Sequence, residues 1–242
     1  MLLLIDAGNT RIKWALVEPN GQLGVWAHIG SMTHQELGQI PSPWQNLAIT
    51  QAVVSNVAGV ALREQLARQL VAYRVEWFCA QHQRAGIQSG YRVPESLGSD
   101  RFASMIGARA LFPQQKLIVA TCGTATTIDA VNSEGHFVGG MIVPGLQLMA
   151  QSLAHNTAQL PLASLPAAAI SPFADHTAAA IASGCLHAQA GAIERAVSEF
   201  SDTTVPRCIL SGGAASYIAP NLRVPHQLVD NLVLIGLQVA TC

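Results

Sequence analysis

The chain has 242 residues, 50% of them apolar, 11% charged, and a formal net charge of −1. That is ample core material for one large domain or two small lobes, and without a basic cluster it argues against nucleic acid as the main partner. No apolar stretch approaches the ~18 residues a membrane helix needs, and Asp6 cuts the first apolar run too short for a secretory signal, whose basic leading region is also missing. Five scattered cysteines with no CxxC pair read as reduced thiols in a cytoplasm. The eight histidines show no zinc spacing.

Leu2-Leu3-Leu4-Ile5 runs straight into Asp6-Ala7-Gly8-Asn9-Thr10-Arg11. A short continuous apolar run predicts a strand buried on both faces, with Asp6 where it leaves the core. Gly8 lets backbone N–H groups approach a phosphate, and Asn9 and Thr10 add neutral donors. Ile12, Trp14 and Leu16 alternate with Arg11, Lys13 and Ala15, so the chain returns as a second strand. Strand, turn, strand, with Asp6 and Lys13 near the bend, suits a metal-bound polyphosphate. An ordinary hairpin in which Asp6 makes only an Asx-turn is the alternative.

Asn20-Gly21 signals a turn, and Val25 to Ile29 is expected as a third strand. Ser31 to Pro43 holds at most a short helix, broken by Pro41 and Pro43. Leu47 to Ser55, which carries Val53-Val54, is expected to hold an interior strand, Val60 to Leu70 a helix with Leu62, Leu66 and Leu70 on one face, and Val75 to Phe78 a strand. Together these predict a mixed sheet with helices on its faces. Arg84 to Pro94 is loop-like and carries Tyr91, read as exposed, with rim packing the default and pocket lining the alternative.

Gly98-Ser99-Asp100-Arg101 opens a helix to about Leu111. Asp100 can serve as N-cap. Arg101 opposes the helix dipole there, so an Asp-Arg pair at this place also suits an anionic substrate that carries a hydroxyl. Leu117 to Val131 then repeats the opening of the chain: an aliphatic strand, a turn at Gly123-Thr124, and a return strand through Thr126, Thr127 and Ile128. Gly123 aligns with Gly8, and Asn20-Gly21 is answered by Ser133-Glu134-Gly135. Such a repeat suggests two similar lobes facing each other, each giving one glycine turn to the same phosphates. Chance likeness of two common units is the alternative.

Phe137 to Val143 would be the third strand of the second copy, and Gly145 to His155 a helix. Asn156 to Pro172 is proline-punctuated loop. Asp175 is expected to cap the longest helix, to about Phe200, whose small residues (Ala180, Gly184, Ala188, Gly191) let another helix approach. Cys208 to Leu210 is a strand, Ser211-Gly212-Gly213 a third place for backbone to meet a nucleotide, and Asp230-Asn231 the cap of the closing helix.

Three motifs in order, Asp6-Ala7-Gly8-Asn9-Thr10, Gly98-Ser99-Asp100-Arg101 and Gly123-Thr124-Ala125-Thr126-Thr127, make the chain resemble the type III pantothenate kinases. That family, which includes proteins described as Bvg accessory factors, belongs to the acetate and sugar kinase and actin superfamily. The resemblance runs nearly end to end and takes in Gly139-Gly140, Pro144-Gly145, Asn156 to Pro161 and Asn231 to Leu237. It implies an α/β fold of two ribonuclease-H-like (actin-like ATPase) lobes with mixed sheets flanked by helices. The division expected is 1–95, carrying the first phosphate loop, and 96–242, carrying the second, the substrate site and a dimer helix.

The resemblance further implies a cytoplasmic homodimer that phosphorylates pantothenate with ATP and Mg²⁺, the first step to coenzyme A. Asp6, Ala7, Gly8, Asn9, Thr10, Arg11, Ile12 and Lys13 would form the first ATP loop, Asp6 supporting Mg²⁺ through water, and Thr124 would contact ATP from the second. Asp100 would be the base for the substrate hydroxyl. Tyr91, Gly98, Ser99 and Arg101 would line the pantothenate site, with Thr177 reaching a partner's substrate. Many family members carry an acid two residues before the second glycine, where it binds K⁺ or NH₄⁺. Thr121 stands there in this chain, and a hydroxyl replaces a carboxylate poorly, so no tight monovalent site is expected. Asp129 is not assigned that role. Other readings of the same features are a different small-molecule kinase of the superfamily and a catalytically silent accessory protein.

Overall fold

The computed structural model describes residues 1–38, 44 and 47–241. Pro41, Pro43 and Cys242 lie outside the described residues. Packing divides the chain into two compact units, Met1–Leu111 with Leu232–Cys242, and Phe112–Asn231. The sequence-based division falls after residue 95. The packing division falls after 111 and returns at 232, because the helix opened by Ser99 and the closing helix pack on each other and on the first sheet.

In the first unit, β1 (Leu2–Ala7) is flanked by antiparallel β2 (Ile12–Val17) and parallel β4 (Gln51–Asn56). β3 (His28–Met32) and β5 (Arg74–Phe78) complete the order β3-β2-β1-β4-β5. Leu3, Leu4 and Ile5 are wholly buried, as expected for a central strand covered on both faces. α1 (Val60–Gln69) makes the crossover that parallel β4 and β5 require, with Leu62 and Leu66 inward. The third strand starts three residues later than its apolar pattern suggests. Val25 N–H bonds back to Gln22, and the Gln238 side chain accepts from Gly24 N–H at 3.0 Å, so the chain before His28 is held in turns.

The stretch read as loop contains a small hairpin, β6 (Gln83–Arg84) and β7 (Ile87–Ser89). It leads to α2 (Ser99–Leu111).

The second unit repeats the topology. β8 (Leu117–Cys122) pairs with antiparallel β9 (Ala125–Val131) and parallel β11 (Arg207–Ser211). β10 (His136–Pro144) and β12 (His226–Leu228) flank these, giving β12-β11-β8-β9-β10. α3 (Leu146–Asn156) and α4 (Thr177–Phe200) come between β10 and β11, and α5 (Ala215–Ile218) between β11 and β12. Leu186 and Ile193 of α4 join Ile118, Cys208 and Leu210 in the core. The expected cap is corrected. His176, not Asp175, is the N-cap residue of α4 and makes no side-chain bond to the helix, while Asp175 accepts from His176 Nδ1 at 2.8 Å. The last helix, α6 (Leu232–Ala240), belongs to the first unit. No helix of the described residues is long and apolar enough to cross a membrane.

Candidate active site

β1 passes Asp6, and the chain turns through Gly8–Arg11 into β2. Gly8 N–H donates to the Arg11 carbonyl at 3.1 Å and closes the turn, leaving Asn9, Thr10 and Arg11 exposed. Asp6 lies opposite Lys13 on β2 and Ser55 on β4. Directly paired residues share a sheet face, so an acid, a base and a hydroxyl stand together where β1 and β4 end. Burial, then the neighbouring Asp100 charge, pushes the Asp6 carboxyl up to about 7 against the opposing pull of Lys13.

The start of α2 meets this place. Ser99 and Ser55, both buried, share a hydrogen bond of 2.8 Å between their hydroxyls. Nothing in the sequence pattern marked Ser55. Its one signal is its place at the end of a parallel strand, where open α/β sheets gather functional groups. Asp100 is the second residue of α2, not the residue before it, and its Oδ1 accepts from Arg101 N–H at 2.8 Å. A Cβ on Gly98 would come within 2.7 Å of that same Oδ1, so the carboxylate folds over a bare glycine. Burial raises the Asp100 carboxyl, opposed by the Arg101 N–H and guanidinium.

Arg101 is only 5% exposed. Its Nη1 donates to the Tyr91 hydroxyl at 2.8 Å, and the guanidinium lies 5.6 Å from the centre of that ring. Tyr91 is therefore part-buried rather than the exposed loop residue expected. The hairpin before it directs the ring inward, and Ser89 Oγ takes its N–H at 3.3 Å.

In the second unit the turn is shorter. Gly123 N–H donates to the Ala125 carbonyl at 3.0 Å, and Thr124 is exposed. Gly145 N–H donates to Thr124 O at 2.9 Å, and a Cβ on Gly145 would fall 2.1 Å from Gly123 O. Gly212, at φ +95, lies so close that its Cβ would fall 2.3 Å from Cys122 O. Gly145 and Gly212 thus bring backbone against backbone at Gly123 and Cys122, where parallel β8 and β11 end, the end of a parallel sheet at which ligands bind.

Thr121 lies opposite Thr127 on one side and Ser211 on the other, a row of neutral hydroxyls. Thr127 Oγ1 is buried with no hydrogen-bond partner. Asp129, wholly buried, opposes Val119 two pairs further in. Among the described residues no group of three or more His, Cys, Asp or Glu is placed to hold a metal. Thr177 opens α4, exposed, beside a groove of about 780 Å³.

Two ribonuclease-H-like units, each with a glycine turn after its first strand, define the actin-like fold of the sugar kinases. The chain covers 99% of itself and 98% of a glucokinase from Streptomyces griseus, solved with glucose and AMPPNP, at TM-score 0.50 and 12% identity. It matches the activator of 2-hydroxyisocaproyl-CoA dehydratase from Clostridium difficile, solved with ADPNP, at TM-score 0.53 and 12% identity over 99% and 92% of the two chains. Within that fold the chain belongs to the type III pantothenate kinase family, whose model matches residues 2–199. It is 54% identical to the type III pantothenate kinase of Herminiimonas arsenicoxydans over 98% of this chain and 96% of that one.

Proposed function

We propose that this chain transfers the γ-phosphate of ATP to the primary hydroxyl of pantothenate, giving 4′-phosphopantothenate, the first step toward coenzyme A. The observation that carries this reading is membership of the type III pantothenate kinase family, with the start of α2 tied by Ser99 to Ser55 on β4, beside Asp6. Phosphoryl transfer needs positioning and charge stabilisation more than covalent help. Asp100 takes the hydroxyl proton as that oxygen attacks the γ-phosphorus. The bond from phosphorus to the β–γ bridging oxygen breaks, and ADP leaves with that oxygen.

Asp6, Ala7, Gly8, Asn9, Thr10, Arg11, Ile12 and Lys13 form the first nucleotide turn, and Thr124 of the second glycine turn also contacts ATP. Bound with ATP, Mg²⁺ would supply neutralisation of phosphate charge. The residues present fit it: Asp6 offers a carboxylate, and two neighbouring part-buried acids would gain from an added cation. Asp6 would hold the ion through water. Arg101, held by Tyr91, pairs with the pantothenate carboxylate, a charge-assisted bond stronger than a neutral one. Gly98 and Ser99 complete that side. The neutral row Thr121, Thr127 and Ser211 supports activity without a tight K⁺ or NH₄⁺ site.

A second copy of the chain covers the groove beside Thr177, and Thr177 reaches its substrate. Leu148 and Leu153 line this groove while exposed, and Gly184 presents open backbone. The cytoplasm suits the free cysteines, of which Cys122 and Cys208 are pushed up to about 12, chiefly by burial.

The test is ADP release from Mg-ATP with and without pantothenate, in sodium buffer and with added potassium or ammonium. Pantothenate-dependent turnover in sodium alone is expected. Turnover only with potassium or ammonium would overturn the cation reading, and none in any salt would overturn the kinase reading.

A further inference from the structure

The segment that follows β3 reads Thr33-His34-Gln35-Glu36, a Thr-x-x-Glu capping box. The box forms. Thr33 N–H donates to Glu36 Oε2 at 2.6 Å, and Glu36 N–H returns to Thr33 Oγ1 at 3.3 Å. Buried Leu37 anchors the short 3-10 turn behind it, Gln35–Gly38. His34 is thus fixed inside a locked loop, one residue past the cap.

Its ring is part-buried and turned toward the first glycine turn. Nε2 lies 2.9 Å from the Gly8 carbonyl oxygen. A carbonyl only accepts, so Nε2 carries the hydrogen and donates. The far end of the same turn is tied to the same segment, since Arg11 Nη2 donates to Ser31 Oγ at 2.9 Å. The Gly8–Asn9 peptide is trans and planar. Its carbonyl and the Asn9 N–H therefore point in opposite directions. A bond that draws the carbonyl toward His34 turns the Asn9 N–H to the other side of the turn. Glycine supplies no side chain to bias that peptide, so its orientation depends on an outside partner.

We propose that His34 is a positioning residue for the first nucleotide turn, holding the Gly8 carbonyl so that the Asn9 N–H is presented to the polyphosphate. This rests on the reading of that turn as a nucleotide site. Isothermal calorimetry of ADP binding, melting temperature and steady-state kinetics on His34→Ala and His34→Gln test it. His34→Ala should weaken ADP binding about tenfold, the scale of one oriented hydrogen bond. It should raise the KM for ATP similarly, leave the KM for pantothenate within about twofold, and shift melting by under about 2 °C. His34→Gln, whose amide can donate to the same carbonyl, should recover most of the loss. Unchanged ADP affinity in His34→Ala would overturn the proposal, as would equal losses for both substrates together with a lowered melting temperature. Calorimetry does not depend on the acceptor, so wild-type protein that binds ADP yet ignores pantothenate would sink the substrate assignment and leave the role of His34 open to the same test.

Discussion

Asp6 keeps its proton to about 7 in the folded chain, against 3.8 ordinarily. The folded state then binds more protons than the unfolded one between those values, so stability falls as pH rises through that window. Asp6→Asn cannot ionise and escapes the loss. At pH 8 without ligand it should melt roughly 4–8 °C higher, for about 2 kcal/mol, while turnover falls ~10²-fold or more. Scanning calorimetry beside an ADP-release assay checks both. Asp100 must lose its proton to act as base, and burial raises it. Activity should therefore climb with pH along an acid limb above the usual carboxylate range. Asp100→Asn should lower kcat by ~10²-fold or more and abolish that limb, and a near-normal kcat would return Asp100 to a purely structural role at the helix start. Arg101→Ala should mainly raise the KM for pantothenate, by about tenfold or more for a lost charged bond. A change confined to the KM for ATP would show the two substrates to be misplaced.

At the scale of elements, the two helices that carry and support the acid approach to backbone contact. A Cβ on Gly236 of α6 would fall 1.8 Å from the Ala103 carbonyl of α2, and one on Gly107 of α2 would fall 2.6 Å from Leu232 O. Only glycine fits such a crossing. Gly236→Ala should cost about 3 kcal/mol in urea denaturation, the upper end for overpacking. It should also lower kcat, because α2 carries Asp100. Element types were legible wherever a pattern was strong, as in β1, α1 and α4. The misses have physical causes. β3 starts late because Gln238, distant in sequence, holds Gly24. The β6–β7 hairpin is too short to show a period. Asp175 leaves the cap because His176 offers its carboxylate a closer partner.

The molecule as a whole repeats one topology, and the repeat of glycine turns at Gly8 and Gly123 was visible in the sequence before the strand orders matched. The proposed dimer belongs to this scale as well. A charge placed in the exposed groove, Leu148→Asp, should yield monomers in analytical ultracentrifugation, since a buried unpaired carboxylate is costly. A dimer that survived it would put the interface elsewhere. By itself the sequence determined the apolar strands, the glycine turns, and the family to which the motifs point. These are properties of consecutive residues, and short-range sterics and hydrophobic periodicity suffice for them. Only the tertiary structure decided that Asp100 lies close enough to raise the Asp6 carboxyl, that Ser55 ties to Ser99, that Tyr91 turns inward to hold Arg101, and that His34 reaches Gly8. Those pairings join residues distant in the chain, and they depend on strand register and helix placement, which packing of the whole core sets.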